Sequence, residues 1–150
     1  MLLASLLYHI PFKIKAYGFG AREYYHPQRN DGTLMCHYRH HAHADPFYLP
    51  GLQDITAHVD FSAIAIAGID AGLMLAGYTS QAQFLINCGI TAILARTPAH
   101  DPARYLPQVT AVLKLMSPAE MGELFKVIGF TKGIEIPLIG FVQGDQSRRL

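Results

Sequence analysis

Strand-like and helix-like segments alternate along this chain, and their order limits the possible folds more than any other feature does. The stretch "DITAHVDF" (54–61) alternates polar and apolar residues with a period of two, which is typical of a strand. In "DFSAIAIAGIDAG" the period changes and predicts a helix that Asp60 or Ser62 caps and Gly72 ends. "LMLAGYT" and "SQAQFLINCG" repeat the same order. The pattern therefore predicts an α/β fold.

Further elements are predicted on both sides of this region. Residues 12–19 and "TLMCHYRH" (33–40) each predict a strand, and "HAHADPFYLPG" (41–51) predicts a loop. Asp101 followed by Pro102 predicts a helix, which would run to about Met116.

The last third of the chain is predicted to end in strands. "SPAE" (117–120) is a capping-box pattern and predicts a helix with Pro118 at its first position. "MGELFKVIGF" leads into a strand, and "PLIGFVQGD" (137–145) predicts a final strand after a turn at Lys132-Gly133. The sheet would thus close with an antiparallel edge hairpin.

Composition narrows the class of partner. Charged residues make up only 15% of the chain, against roughly a quarter in an ordinary soluble domain, so some apolar surface is expected to meet another segment or chain. Twelve basic and eleven acidic residues leave a net charge of +1 without a basic run, and no nucleic-acid partner is expected. "MLLASLLYHI" is too short to span a bilayer. Cys36 and Cys88 are isolated, which favours a reduced, cytosol-like compartment.

The polar row of "DITAHVDF" is the first candidate for chemistry. Asp54, Thr56, His58 and Asp60 fall on one side of an extended chain. An imidazole carries protons near neutral pH, and flanking carboxylates would hold it and raise its pKa. His58 is therefore a candidate catalytic residue, with Asp54 and Asp60 beside it. The alternatives are a structural histidine, the end of a turn at Asp54 and a helix cap at Asp60.

Two other clusters could bind a ligand. In "EYYHPQR", Tyr24, Tyr25 and Arg29 could recognise a polar substrate, since arginine pairs with carboxylates in a bidentate way. An exposed loop packed by its tyrosines is the alternative. The second cluster consists of four histidines, His37, His40, His41 and His43, which could hold zinc. Metal sites normally draw their ligands from separate segments, however, so no metal is expected. No glycine-rich nucleotide-binding motif of the GxGxxG or GxxxxGK[ST] kind occurs.

In chain order, "YGF", "AREYYHPQR", "GTLMCHYRHHAHADPFYLPGLQDITAHVDF", "AGYTSQAQFLINCGI" and "SPAEMGELFKV" closely resemble the MidA-type family of S-adenosylmethionine-dependent methyltransferases, from about Tyr17 to near the C-terminus. The resemblance implies a Rossmann-like sheet and S-adenosylmethionine as the cofactor. It also implies methyl transfer to a protein arginine, with a subunit of respiratory complex I as one candidate substrate. The location would be the cytoplasm of a bacterium or the mitochondrial matrix of a eukaryote.

The resemblance also bears on domain organisation. The glycine-rich cofactor loop of such proteins lies in an N-terminal half, so residues 1–150 are expected to form a single truncated domain, with 1–16 as an atypical lead-in and 17–150 as the C-terminal portion. Ala16 stands where relatives generally have aspartate, and Gly20 where proline is usual. A non-catalytic remnant or protein-interaction module is the alternative function. An incomplete sheet also predicts low stability or self-association.

Overall fold

A mixed four-stranded sheet forms the centre of the molecule. The computed structural model describes residues 12–39 and 41–150. The sheet contains β1 (Phe12–Phe19), β5 (Val59–Asp60), β6 (Met74–Ser80) and β7 (Phe125–Thr131), in the order β5-β1-β7-β6. β5 runs parallel to β1, whereas β7 is antiparallel to both of its neighbours. The prediction of an α/β fold is confirmed at this level, as a mixed α/β fold with a mixed sheet.

A second sheet is small and entirely antiparallel. It contains β2 (Met35–Tyr38), β3 (His41–His43) and β4 (Asp54–Thr56), in the order β3-β2-β4. The prediction that residues 41–43 belong to a loop is wrong. These residues form an antiparallel strand paired with β2, in which Cys36 lies opposite His43. Backbone hydrogen bonding to β2 therefore makes this segment a strand although its side chains are those of a polar loop.

Two predicted helix caps, Asp60 and Asp101, are confirmed. The helices are α1 (Ala21–Tyr24), α2 (Phe61–Asp70), α3 (Gln81–Asn87), α4 (Ile90–Leu94) and α5 (Pro102–Met116). Asp60 caps α2, because its Oδ1 accepts hydrogen bonds from the backbone N–H groups of Ser62 at 2.9 Å and Ala63 at 3.1 Å. The Ser62 hydroxyl instead accepts from the Ala21 N–H at 2.8 Å and ties α1 to α2.

The helix predicted to begin at "SPAE" does not form. Residues 118–124 make turns instead, and the N–H groups of Glu120 and Gly122 both donate to the Ser117 carbonyl oxygen, at 3.2 and 2.8 Å. A Cβ atom at position 122 would clash with the Met116 carbonyl. The close return of the chain onto the end of α5 therefore replaces the predicted helix.

The final strand predicted for residues 137–145 is also absent, and with it the predicted edge hairpin. This segment contains the 3-10 helix Ile139–Phe141, and a second one follows at Ser147–Arg149. Its polar groups bond to side chains: the Asn87 amide donates to the carbonyls of Gly140 at 2.9 Å and Gln143 at 2.8 Å. These bonds hold the segment against α3 rather than in a ladder.

The main core lies between α2 and one face of the sheet. Phe61, Tyr78, Ile128 and Phe130 are buried there, with the Phe61 and Tyr78 rings 5.1 Å apart. Apolar residues occur nearly all round α2, a pattern that favours burial on more than one side. In this chain one side is buried, whereas other apolar side chains of α2 are exposed, including Ile66 (61%).

On the opposite face of the sheet, Phe141 packs over two glycines. A Cβ atom at Gly77 or at Gly129 would run into the Phe141 ring, so both positions must lack a side chain. Phe84 of α3 meets Phe141 edge-on at 5.4 Å. Helical segments thus cover both faces of the central sheet.

The lead-in expected to be atypical lies mostly outside the described residues, as does His40. Within 12–39 and 41–150, no helix is both long and apolar enough to cross a membrane.

Candidate functional site

The row of polar residues in "DITAHVDF" is divided between the two sheets. Asp54 and Thr56 belong to β4 of the small sheet, whereas Asp60 belongs to β5 of the central sheet. Ala57 and His58 belong to neither strand, and at these two residues the chain passes from the small sheet to the central sheet. The side chains therefore do not form the single strand face that the period of two predicted.

A cavity of about 690 Å³ lies where the two sheets meet. Both sheets contribute to its wall, β1, β5 and β7 on one side and β2 to β4 on the other, together with the loop that precedes β2. Its lining comprises Ala16, Tyr17, Arg29, Gly32, Thr33, Leu34, Met35, His37, Ala42, Thr56, Ala57, His58, Val59 and Phe125. Two of the predicted site residues, His58 and Arg29, are therefore brought to one cavity.

His58 is fixed in the cavity wall by aromatic contacts. Its ring centroid lies 4.6 Å from that of Tyr17 and 5.1 Å from that of Phe19. Its backbone N–H donates to the Thr33 hydroxyl at 3.1 Å. Its Nδ1 is buried and has no hydrogen-bond partner among the described residues.

The protonation of His58 follows from these surroundings. Burial, and secondarily the positive charge of Arg29, lower the pKa of His58 below its usual value of 6.5. The flanking carboxylates were expected to raise this pKa, and that expectation is wrong, because neither Asp54 nor Asp60 lines the cavity. A lowered pKa leaves the imidazole neutral at pH 7 and able to accept a proton.

Arg29 lines the cavity and lies over the ring of Phe19, which is not itself a lining residue. Its guanidinium carbon is 4.5 Å from the centroid of the Phe19 ring, within the range of a cation–π contact. The described part of the cavity wall contains no carboxylate side chain to neutralise this charge. The arrangement can hold a polar ligand against aromatic rings and the neutral imidazole of His58.

Asp60 and Tyr25 meet outside the cavity wall. The Asp60 carboxylate, as hydrogen-bond acceptor and as a negative charge, raises the pKa of the Tyr25 hydroxyl. Tyr25 is 70% exposed and packs edge-on against Tyr24, with ring centroids 4.9 Å apart. The loop is thus packed by its tyrosines, and neither Tyr24 nor Tyr25 lines the cavity at the junction of the two sheets.

Asp54 stands apart from the other predicted residues. It is exposed on β4, opposite His37 of β2, and its carboxylate makes no hydrogen bond or ion pair within the described residues. The structure therefore brings His58 to Arg29, and Asp60 to Tyr25, without joining Asp54 to either pair.

The histidines of the small sheet are spread along a hairpin. His37 lines the cavity, and His43 packs against Tyr48 at 5.2 Å between ring centroids. In the described part of the chain, no three or more histidine, cysteine, aspartate or glutamate side chains are grouped so that they could hold a metal ion.

Several wall residues were not singled out from the sequence. The rings of Tyr17 and Phe125 meet edge-on at 5.5 Å, and Met35 closes the side formed by the small sheet. Alternation in β1 places Tyr17 and Phe19 on one face, and this pattern is the signal that could have identified them. Ala16, where aspartate was expected from the resemblance, also lines the cavity.

Comparisons with known proteins show what this chain is similar to. Residues 14–79 match the model of a family described as "Putative S-adenosyl-L-methionine-dependent methyltransferase". A crystal structure of a superfamily member from Burkholderia thailandensis, described as a "likely methyl transferase" bound to S-adenosyl-homocysteine, has a TM-score of 0.90 and 59% identity. The match covers 93% of this chain and 36% of that one.

Two further proteins are similar. A native crystal structure of an uncharacterized superfamily protein from Burkholderia thailandensis gives a TM-score of 0.90 at 59% identity and covers 93% of this chain and 37% of that one. The mitochondrial protein arginine methyltransferase NDUFAF7 homolog of Drosophila melanogaster is 29% identical over 131 residues, or 79% of this chain and 29% of that protein.

The resemblance inferred from the sequence is confirmed: the chain is related to the family of S-adenosylmethionine-dependent methyltransferases. It is similar in fold and sequence to the Burkholderia thailandensis protein. It spans only about a third of the length of these relatives, with 29% of one and 36% of another covered.

Proposed function

We propose that this chain supplies the acceptor-binding side of an S-adenosylmethionine-dependent methyltransferase. The support is the likeness to a structure that holds S-adenosyl-homocysteine, together with the cavity that surrounds His58. That cavity is the observation on which the proposal depends. It offers a neutral imidazole in an aromatic wall, which suits an acceptor group that must be held in line and lose a proton.

The residues that the structure describes do not fit the nucleotide part of the cofactor. β1 ends at Gly18-Phe19 and Gly20 follows it, but α1 is only four residues long, too short for a glycine-rich turn that leads into a binding helix. We therefore propose that 1–150 is a single truncated domain, with 17–150 as the C-terminal portion of a Rossmann-like methyltransferase domain. The glycine-rich half would come from outside this chain.

The proposed acceptor is the guanidinium group of a protein arginine. The named activity of the Drosophila melanogaster relative supports this choice. So do the rings of Tyr17 and Phe125, which line the cavity and meet edge-on at 5.5 Å. Aromatic faces attract such cations by about 0.5–1 kcal/mol at exposed sites and by more when they are desolvated.

Each predicted residue has a role in this proposal. His58 accepts the proton that the acceptor nitrogen loses, because its lowered pKa keeps it neutral at pH 7. Asp60 and Asp54 attract a cationic acceptor from outside the cavity wall. Tyr24, Tyr25 and Arg29 shape the entrance, with Arg29 nearest to the cavity.

The proposed partner is a protein substrate, with a subunit of respiratory complex I as one candidate. The mitochondrial designation of the Drosophila melanogaster relative supports a matrix location if the organism is a eukaryote; in a bacterium the cytoplasm is expected. Self-association is proposed for the isolated chain, because exposed apolar side chains such as Ile66 and Ile69 lie together on α2.

A chimera tests the proposal directly. This chain would replace the matching segment of the longer Burkholderia thailandensis relative, and methyl transfer from radiolabelled S-adenosylmethionine to arginine-containing protein would be measured. His58→Gln is expected to lower turnover at least about tenfold, as loss of a positioned acid–base group does, with an unchanged melting temperature. The matched control is His41→Gln, at an exposed histidine of β3 that does not line the cavity.

Two results would count against the proposal in different ways. Equal turnover in wild type and His58→Gln would reduce His58 to a structural residue. Label recovered on a group other than arginine would reject the guanidinium acceptor and leave the methyltransferase class standing.

A non-catalytic interaction module is the second candidate. The exposed apolar side chains of α2 and the short span of the chain favour it. Calorimetric titration of the folded chain with S-adenosylmethionine separates the two: a saturable heat supports a catalytic role for this chain alone. No heat from the chain but turnover in the chimera supports the truncated-domain proposal.

A further inference from the structure

A second cavity, here called the basic cleft, lies outside the site described above. It has a volume of about 530 Å³ and is bounded by α1, β6, β7 and the last residues of the chain. Four cationic side chains line it: Arg22, Lys126, Arg148 and Arg149. Glu23 is the one carboxylate side chain among the described lining residues. Since the whole chain has twelve basic and eleven acidic residues, this excess of positive charge is local.

Most of that charge is unpaired. Lys126 Nζ lies 3.3 Å from Glu123 Oε2, so its charge is partly neutralised. Within residues 12–39 and 41–150, no carboxylate oxygen lies within 4.0 Å of the guanidinium groups of Arg22, Arg148 or Arg149. Arginines without a partner in a concave site are suited to a carboxylate or phosphate group, which they bind through two parallel hydrogen bonds.

The floor and wall of the cleft are well defined. Burial raises the pKa of Tyr78 to about 12, so the phenol at the floor stays neutral and adds no negative charge. The Gln146 N–H donates to the Tyr78 carbonyl at 2.6 Å, and Arg149 Nη1 donates to Gln146 Oε1 at 3.2 Å. The arginine-bearing segment is thus fixed to β6.

A shallow hollow joins the basic cleft to the candidate acceptor cavity. This hollow, of about 440 Å³, is lined by Glu23, His26, Gln28 and Arg29. Glu23 and His26 also line the basic cleft, and Arg29 also lines the acceptor cavity. The three concave regions therefore follow one another around the "EYYHPQR" loop, as a groove for an extended ligand would.

We propose that the basic cleft binds an acidic segment of the polypeptide substrate, some residues away from the side chain that enters the acceptor cavity. This inference rests on the proposed function, because it makes the ligand of the cleft and the methyl acceptor parts of one chain. A run of aspartate or glutamate would meet Arg22 and Arg148 at the rim and Lys126 deeper inside. The cleft would thus select among substrates that all carry an acceptor residue.

Binding of labelled peptides tests this without any methyl transfer. A fluorescent peptide with a run of glutamate and aspartate would be titrated with the full chain, and with the chimera described above, at about 50 mM salt, where charges still act over about 14 Å. The same peptide with glutamine and asparagine in place of the acids serves as the neutral comparison. The acidic peptide is expected to bind at least about tenfold more tightly.

Paired substitutions assign the effect to the cleft. Arg22→Gln with Arg148→Gln should weaken binding of the acidic peptide about tenfold, since an exposed charge pair contributes roughly a three- to fivefold change in affinity. Arg96→Gln with Lys114→Gln removes the same charge from exposed positions outside the cleft and should change binding less than about twofold. Arg148→Lys, which keeps the charge but cannot make the two parallel hydrogen bonds, should lose less affinity than Arg148→Gln.

Three outcomes would overturn the proposal. They are equal affinity for acidic and neutral peptides, equal losses in the two double variants, and tighter binding of a single-stranded oligonucleotide or of inorganic phosphate than of the peptide. Selective binding of the acidic peptide in a chimera without turnover would support the cleft and reject the proposed function alone.

Discussion

The guanidinium carbon of Arg29 lies 4.5 Å from the centroid of the Phe19 ring, and the same ring meets His58 edge-on at 5.1 Å. A fixed positive charge and an imidazole thus share one aromatic neighbour. Their proximity explains why Arg29 contributes to the lowered pKa of His58, after burial.

The first prediction concerns the titration of His58. Its apparent pKa, followed by NMR of the imidazole protons, should lie below the usual 6.5. Arg29→Gln should raise it, because a nearby positive charge is removed, yet leave it below 6.5 because burial is the larger cause. Arg39→Gln, an exposed substitution outside the cavity, should leave it unchanged. A His58 pKa above 6.5 in the wild type would contradict the packing described here.

The same shift makes stability depend on pH. Since the folded chain holds the His58 proton less tightly than the unfolded chain, protonation favours unfolding. The melting temperature should fall as the pH drops below the unfolded value of about 6.5, and should fall less in His58→Gln. Identical pH profiles for the two proteins would show that His58 titrates normally.

The third prediction separates the two carboxylates of the polar row. Asp60→Ala removes the cap of α2 and should cost about 1 kcal/mol in the free energy of unfolding, measured by denaturant. Asp54→Ala, at an exposed residue without side-chain partners in the described region, should change it by less than about 0.5 kcal/mol. Similar losses from both would mean that the row acts as one unit.

The fourth prediction concerns the core. Phe61→Ala should cost about 3–5 kcal/mol, because Phe61 is fully buried against Tyr78 and Ile128. Ile66→Ala on the same helix, at a side chain that is 61% exposed, should be nearly neutral in the isolated chain. A large loss at Ile66 would show that a second surface covers α2 in solution.

The fifth prediction concerns the contact that positions β5. A Cβ atom at Gly18 would collide with the Val59 backbone, so Gly18→Ala should separate β5 from β1 and move His58 away from Tyr17. The ring-current shift of the His58 protons should then decrease. Gly32→Ala, in open space at φ +71°, should cost stability through backbone strain and leave that shift in place.

Local signals in the sequence predicted those parts of the fold that depend on neighbours in the chain. Asp60 and Asp101 cap the helices that they were expected to cap, and Gly72 and Gly89 adopt positive φ values of 77° and 80° just beyond the helix ends. Each of these features is decided by a few consecutive residues, because a cap or a left-handed turn is a local hydrogen-bonding matter.

Contacts between distant segments could not be predicted in this way. "PLIGFVQGD" has the apolar content of a strand, but Asn87 binds its carbonyls and Phe141 fits over Gly77 and Gly129. The polar row shows the same limit at the site. Its period is right within β4, yet Ala57 and His58 carry the chain to another sheet, so His58 meets Tyr17 and Phe19 instead of Asp54 and Asp60.

The division of the wall between two sheets has a thermodynamic consequence. A molecule bound in the cavity contacts both sheets at once, so its binding free energy also opposes their separation. At a concentration one hundred times its dissociation constant, such a ligand would add about 2.7 kcal/mol to the stability of the folded form. The bound molecule would then stabilise the junction between the two sheets. The free energy of separating the sheets should therefore be measured on the protein with its ligand bound.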